Sequence, residues 1–308
     1  MTSVNIARML AAGLGVRERV SVRQTEKTYP VKPEVWDNWF PFAYLAFRKE
    51  QDVRSFASIG AGVGADAIGA LHAFPSLERV VVTDLDSNIV AVAEENVRKY
   101  ASGVEIIALV GSLCAPLRER GFRVDLLYEN LPNIPNGGNL EKGYRRASRY
   151  EKGQFGVGNE LARVYLLESH LALLQDAKDR LTERGRAICS IGGRVPLALI
   201  QEIVEREGFA YRELVAGFRL QTESEEVLPG YASAEKGITF DFYPYREARA
   251  LLEKEGMCEP FVERTGEELK RLLEPVRISA KEALARYERD KGYRVGHVVL
   301  MIEAAKKD

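Results

Sequence analysis

Three glycines at alternate positions, Gly60, Gly62 and Gly64, separate an apolar run, Ser55 to Ile59, from a helix-forming stretch. Glycine has no Cβ, so the chain can turn sharply there and a ligand can lie almost against the backbone. The helix that follows would aim its free N–H groups and the positive end of its dipole at that ligand. After it comes VVVTDLD, Val80 to Asp86, a second strand ending in carboxylates. Asp84 falls about 20 residues past the glycines, where an acid can hydrogen-bond a ribose diol. Ala61 within the turn and Leu85 beside the acid belong to the same edge. The chemistry open to such a strand–turn–helix–strand unit is binding of a nucleotide or nucleoside. The bland alternative is a glycine turn that only packs a helix on a sheet.

Dinucleotide sites favour G-x-G-x-x-G, whereas this chain has G-x-G-x-G. That spacing, with the acid at the next strand end, resembles the first two motifs of class I methyltransferases that use S-adenosylmethionine (SAM). The resemblance implies SAM as cofactor, held by Gly60, Ala61, Gly62, Gly64, Asp84 and Leu85. It also implies that Gly111, Ser112 and Leu113, beyond a third strand, border the adenine. Two departures stand out. The family usually carries an acid where Ser58 stands, two residues before the first glycine, and often Asp where Ser112 stands. Both hydroxyls accept hydrogen bonds but bring no charge.

A fourth strand, Val124 to Tyr128, runs into ENLPNIPNGGN. Asn130-Leu131-Pro132 resembles the Asn-Pro-Pro-Tyr motif of amino-methyltransferases, in which a side-chain amide and a backbone carbonyl hold the accepting nitrogen in line with the methyl group. The resemblance gives Asn130, Leu131 and Pro132 that catalytic role and sets Asn130 beside the cofactor as well. Leu131 replaces the expected proline and no aromatic follows directly. A proline-shaped turn capped by Asn is the alternative. Further on, LPNIPN, GQFGVGNELARV, SIGGRVPLALIQEIVEREGF, GITFDFYPY and ISAKEALARYERDKGYRVGH occur in an order similar to that of the methyltransferase domain of plant methionine S-methyltransferase. Gln154-Phe155-Gly156 and Gly192-Gly193-Arg194 are the most specific pieces. This second resemblance implies a small-molecule acceptor, with a thioether such as methionine favoured. N-methylation of an amine or of a glutamine side chain, and a SAM-binding module without catalysis, remain as alternatives.

A thioether carries no proton, so its methylation needs no general base; an amine would want one or would have to arrive neutral. No histidine is expected at a strand end, which suits either acceptor. An amino-acid acceptor needs a cation for its carboxylate, and Arg194, beyond the fifth strand, has the bidentate fork. Tyr144, Tyr150 and Phe155 can wall an acceptor pocket or pack the loop. Trp36, Trp39 and Phe40 belong to an aromatic stretch that is either core or a lid. Trp39 is the candidate for substrate contact, because an aromatic face attracts a sulfonium cation.

These residues need a frame. Strands alternate with helical stretches from residue 54 onward, which predicts a doubly wound, mostly parallel, seven-stranded Rossmann-like α/β sheet of methyltransferase type with N-terminal helical and C-terminal α/β additions. The expected division is an N-terminal extension or lid, 1–50, and a SAM-binding domain, 51–308. Helices are expected over Val4 to Leu14, over Asn88 to Tyr100 with Ser87 as N-cap, over Asn159 to Leu181 ending by Gly185, and near 246–256 and 266–289. Strands are expected over Tyr211 to Leu220, Ile238 to Tyr243 and His297 to Glu303.

At 308 residues and 46% hydrophobic, the chain can bury a large core. A net charge of −1 gives no overall attraction to nucleic acid or an anionic membrane. A local basic group, Lys142, Arg145, Arg146, Arg149 and Lys152, reads as a solvated face or as a patch. Cys114, Cys189 and Cys258, like His72, His170 and His297, are too scattered for a metal site. The expectation is a cytoplasmic protein with reduced thiols, a small-molecule partner and no membrane span.

Overall fold

The computed structural model describes residues 2–131, 133–135, 149–150, 155–257 and 264–307. Of the sites named above, Pro132, Tyr144, Gln154 and Cys258, with Lys142, Arg145, Arg146 and Lys152 of the basic group, lie outside them.

The chain opens with β1 (Thr2–Asn5), α1 (Ala7–Leu14) and β2 (Ser21–Gln24), the two strands pairing antiparallel. Helix α1 starts later than expected. Val4 is committed to the ladder opposite Val22, and Asn5 Oδ1 accepts the Ala7 N–H at 2.8 Å, a local start signal. Helix α2 (Phe40–Phe47) begins with Pro41 in its first turn and is buried along most of its length. The alternating core follows as β3 (Ser55–Ile59), α3 (Ala65–Ala73), β4 (Arg79–Asp84), α4 (Ser87–Arg98), β5 (Glu105–Val110), α5 (Ala115–Glu119) and β6 (Val124–Glu129). Two short strands, β7 (Ile134–Pro135) and β8 (Arg149–Tyr150), pair with each other beyond β6. Then come α6 (Glu160–Val164), α7 (Glu168–Ala177), β9 (Leu181–Gly192), α8 (Leu197–Arg206), β10 (Phe209–Leu220), α9 (Ser224–Ala234), β11 (Tyr243–Pro244), α10 (Tyr245–Lys254), α11 (Gly266–Leu273), α12 (Ala280–Arg289) and β12 (Val295–Lys306).

The main sheet runs β10-β12-β9-β6-β3-β4-β5, and β11 adds an eighth, two-residue strand against β12. Strands β5, β4, β3, β6 and β9 are parallel, whereas β12 runs antiparallel to both its neighbours. The doubly wound, mostly parallel sheet is therefore present, with one strand more than expected. Chain order reverses direction between β3 and β6. In an open α/β sheet such a switch point leaves a crevice beyond the strands' carboxyl ends. Val80, Val81 and Val82 of β4 are all fully buried, Val81 in one apolar layer and its neighbours in the other. A strand covered by helices on both faces reads as an unbroken apolar run for this reason.

Several boundaries depart from the expected ones. The single helix over 159–181 is two, broken where Leu166 takes a left-handed φ of 60° and Leu167 N–H closes on the Ala162 carbonyl at 2.7 Å. Gly185 ends no helix; it lies inside β9, where a Cβ would stand 2.7 Å from Leu181 Cβ. Asp86, not Ser87, caps α4, accepting the Asn88 N–H at 2.8 Å. Helix α9, over a stretch for which no element is expected, carries Pro229 inside it. Burial of Val227, Leu228 and Tyr231 offsets the proline. The strand expected over Ile238 to Tyr243 reduces to β11, and Pro275 separates α11 from α12. Among the described residues no helix is long and apolar enough to cross a membrane.

Candidate active site

A cavity of about 850 Å³ opens at the switch point. At one end the turn after β3 is drawn tight by Gly64 N–H to the Ala61 carbonyl (2.7 Å) and Ala61 N–H to the Thr83 carbonyl (2.9 Å). Gly60 and Gly64 have φ of 72° and 77°, values that favour glycine. A Cβ on Gly64 would also come 2.9 Å from Val97 Cγ2, so this glycine lets α3 sit close against α4. Gly62 N–H points at Asp84 Oδ2, 3.3 Å away. Burial pushes the Asp84 carboxyl up from its ordinary value, and backbone N–H groups at Gly62, Asp86 and Leu85 partly offset this. Gly60, Ala61, Gly62, Asp84, Leu85, Gly111, Ser112 and Leu113 all line the cavity. Ser58 and Gly64 are not among its lining residues.

Ser58 is fully buried behind the cavity wall, and its hydroxyl donates to Asp66 Oδ2. Asp66, in the first turn of α3, does line the cavity. A carboxylate thus reaches the cavity beside the end of β3 from the first turn of the next helix. Asp66 Oδ1 has no side-chain partner, and burial pushes the carboxyl up to about 6 against the pull of Ser58 and of the backbone N–H groups of Ala67 and Asp66. A buried oxygen of this kind is a natural partner for a cationic or N–H-bearing ligand group.

Asn130 and Leu131 line the middle of the cavity, with Asn133 and Phe155 nearby. The Gly60 and Leu131 positions meet, since a Cβ on Gly60 would lie 3.4 Å from Leu131 Cδ2. Glu129, the last residue of β6, anchors this loop from below. It is fully buried, takes the Leu131 N–H at 2.8 Å on Oε2 and meets His170 Nδ1 at 2.7 Å on Oε1. The sequence reading passed over Glu129 and His170; the signal available was an acid immediately before Asn130 at a strand end.

The far end is basic. Arg194, just past β9, is 4% exposed, and Arg219, near the end of β10, is 3% exposed. Arg194 donates to Tyr231 Oη at 3.3 Å, to His297 Nε2 at 2.8 Å and to Gln221 Oε1, and it lies over the Tyr231 ring at 4.9 Å. Arg219 donates to the Asp37 carbonyl and stacks 4.8 Å over the Trp39 ring. His297 faces Arg219 across the β10–β12 ladder. Burial, then the two arginines, hold its imidazole well below the ordinary range. A histidine does therefore stand at this edge. Strand β12 runs antiparallel, so its start falls level with the carboxyl ends of its neighbours. Trp39, Arg194, Arg219, Gln221 and His297 line the same cavity as the glycine turn. Arg219 and His297 were not singled out from the sequence. Among the described residues no group of three His, Cys, Asp or Glu side chains is placed to hold a metal ion, and Cys114 and Cys189 are buried free thiols.

No family model matches the chain. It is similar to a release factor glutamine methyltransferase of Moorella thermoacetica, 38% identical over 81 residues, which are 26% of this chain and 28% of that protein. The chain thus matches little more than a quarter of that relative's length. Solved structures with a similar course include a precorrin-6y C5,15-methyltransferase from Geobacter metallireducens (TM-score 0.42, 12% identity, 93% of this chain and 94% of that one). Another is a putative RNA methyltransferase from Pyrococcus horikoshii (TM-score 0.42, 13% identity, 98% and 99%).

Proposed function

We propose that this protein is a SAM-dependent methyltransferase that acts on a small molecule. The observation that carries this is one cavity joining a glycine turn and strand-end acid to an Asn-Leu loop at the switch point of the sheet. SAM would supply an activated methyl group on its sulfonium. Asp84 holds the ribose hydroxyls, and Gly60 to Gly62 let the backbone approach the donor. Asp66 faces the cationic methionyl end, and Gly111 to Leu113 border the adenine. Asn130 and the Leu131 carbonyl orient the acceptor, while Glu129 and His170 fix that loop. Methyl transfer is an in-line displacement at carbon, so alignment and exclusion of water carry the rate. Trp39 and the preceding segment close the acceptor end, which makes the 1–50 extension a lid over the SAM-binding domain. A thioether such as methionine suits a site in which the nearest histidine is kept neutral and bound to an arginine. The buried free thiols fit a cytoplasmic setting.

A second acceptor, a glutamine side chain, is favoured by the similarity to a release factor glutamine methyltransferase. The enclosed basic end argues for the small molecule.

Calorimetry with SAM and S-adenosylhomocysteine tests the donor assignment. Saturable binding of both is expected, and no binding of either at millimolar concentration would sink it. Incubation with SAM and methionine tests the acceptor separately; absence of S-methylmethionine removes methionine and leaves the donor site untouched.

A further inference from the structure

Two arginines sit buried in the wall of the cavity without a carboxylate in contact. Among the described residues no carboxylate lies within salt-bridge distance of Arg194 or Arg219, although 22 such pairs occur elsewhere. Every partner of Arg194 is neutral: a phenol, an amide and an imidazole. Arg219 has a peptide carbonyl and an indole face. The fields of Asp37 and Glu223 reach Arg219, but Glu223 is already taken by Lys32 and Tyr29, and Asp37, which also lines the cavity, meets Arg219 through its peptide carbonyl and makes no salt bridge to it. Burying a guanidinium is costly unless an opposite charge comes to it. Two that feel each other, beside an imidazole that stays uncharged, form a site waiting for an anion.

Position adds the second strand of the argument. A Cβ at Gly192 would fall 2.1 Å from Arg194 Nη1 and 3.6 Å from Asn133 Nδ2, so the guanidinium nests over bare backbone beside the loop that carries Asn130. Trp39, Phe40 and Val227 give the same cavity apolar walls. A ligand with an apolar body and one anionic end fits this; a bare inorganic oxyanion would leave those walls unfilled.

We propose that Arg194 and Arg219 form an anion subsite and that the methyl acceptor is a small carboxylic acid, its carboxylate held there while its accepting atom lies near Asn130. This rests on the methyl-transfer function proposed above for the same cavity. A carboxylate bound between two buried guanidiniums makes charge-assisted, potentially bidentate hydrogen bonds.

The test uses the full chain and three probes: butanoate, butanamide and inorganic phosphate, each titrated at constant ionic strength with and without S-adenosylhomocysteine. Butanoate should raise the melting temperature saturably, and butanamide, of the same shape without the charge, should not. In Arg219→Gln the butanoate affinity should fall about tenfold or more, with S-adenosylhomocysteine affinity kept within about twofold. Arg219→Lys, which keeps the charge but not the fork, should fall between. The wild-type comparison of butanoate with butanamide needs no variant to fold. Equal effects of butanoate and butanamide would overturn the subsite, as would an unchanged response in Arg219→Gln. Protection by phosphate but not butanoate would overturn the carboxylic acid. Butanoate binding without any S-adenosylhomocysteine binding would keep the anion subsite and remove the methyl donor.

Discussion

The two ends of the cavity are built in opposite ways. The end proposed to hold the donor comes from three consecutive strand ends, β3, β4 and β5, and its charged groups include Asp66, Asp84 and Asp86, the last paired with Lys27 at 3.1 Å. The end proposed to hold the acceptor is gathered from residues 37–39, the β6 loop, the ends of β9 and β10 and the start of β12, and its charged groups include Arg194 and Arg219 with one acid, Asp37. An acidic end suits a cationic donor, and a basic end suits an anionic acceptor. The difference also separates what a fold family can share from what one chain can specialise. The glycine turn serves any nucleoside ligand, whereas the arginine pair requires the N-terminal segment, β9, β10 and the antiparallel β12 to be in place together.

Breaking either end should leave the other standing. The largest effect is expected from Asn130→Ala, at the junction. Turnover should fall about a hundredfold, the scale that loss of acceptor alignment costs, while S-adenosylhomocysteine binds as before in calorimetry. Unchanged turnover would remove Asn130 from the acceptor site.

Next comes Asp66, whose carboxyl titrates at about 6 when folded against 3.8 ordinarily. A raised acid pKa contributes stability that is full below pH 3.8 and lost as pH rises through about 6. Above that range the cost is on the order of 2–3 kcal/mol. Asp66→Asn should therefore flatten the decline and be the more stable apoprotein at neutral pH by chemical denaturation. Parallel pH profiles for the two proteins would contradict this.

A smaller effect is expected from Asp84→Asn. S-Adenosylhomocysteine affinity should drop about tenfold, the worth of charge-assisted hydrogen bonds, with butanoate binding unmoved. Loss of both would show that the ends are coupled. Smallest should be Gly192→Ala, whose methyl must displace the Arg194 guanidinium. Butanoate affinity should weaken severalfold, about 1 kcal/mol, with S-adenosylhomocysteine affinity intact.

The same contrast explains what was legible in the sequence. Strands β3 to β6, with α3 and α4, follow from apolar runs and glycine punctuation, because short parallel units are locally encoded; the five-residue α5 does not. Asp84 follows from its distance to the glycines. Asp66 is not legible in the motif, because the motif's acid position at the end of β3 holds Ser58 and the carboxylate comes from the first turn of α3. Arg219 and His297 become neighbours only through the β10–β12 register, and no spacing in the chain announces it. Glu129 and His170 are 41 residues apart in the chain and meet only once α7 packs on β6. Helix α9 tolerates Pro229, whose local penalty is offset by buried Leu228 and Tyr231. Local chemistry could be read early; pairings across the sheet could not.

A crystal structure of the S-adenosylhomocysteine complex tests the central claim most directly. Ribose hydroxyls within hydrogen-bond distance of Asp84, with the sulfur turned toward Asn130 and open space between it and Arg194, is the expected result. A ribose away from Asp84, or an adenosyl group seated against Arg194 and Arg219, would contradict the assignment of the two ends.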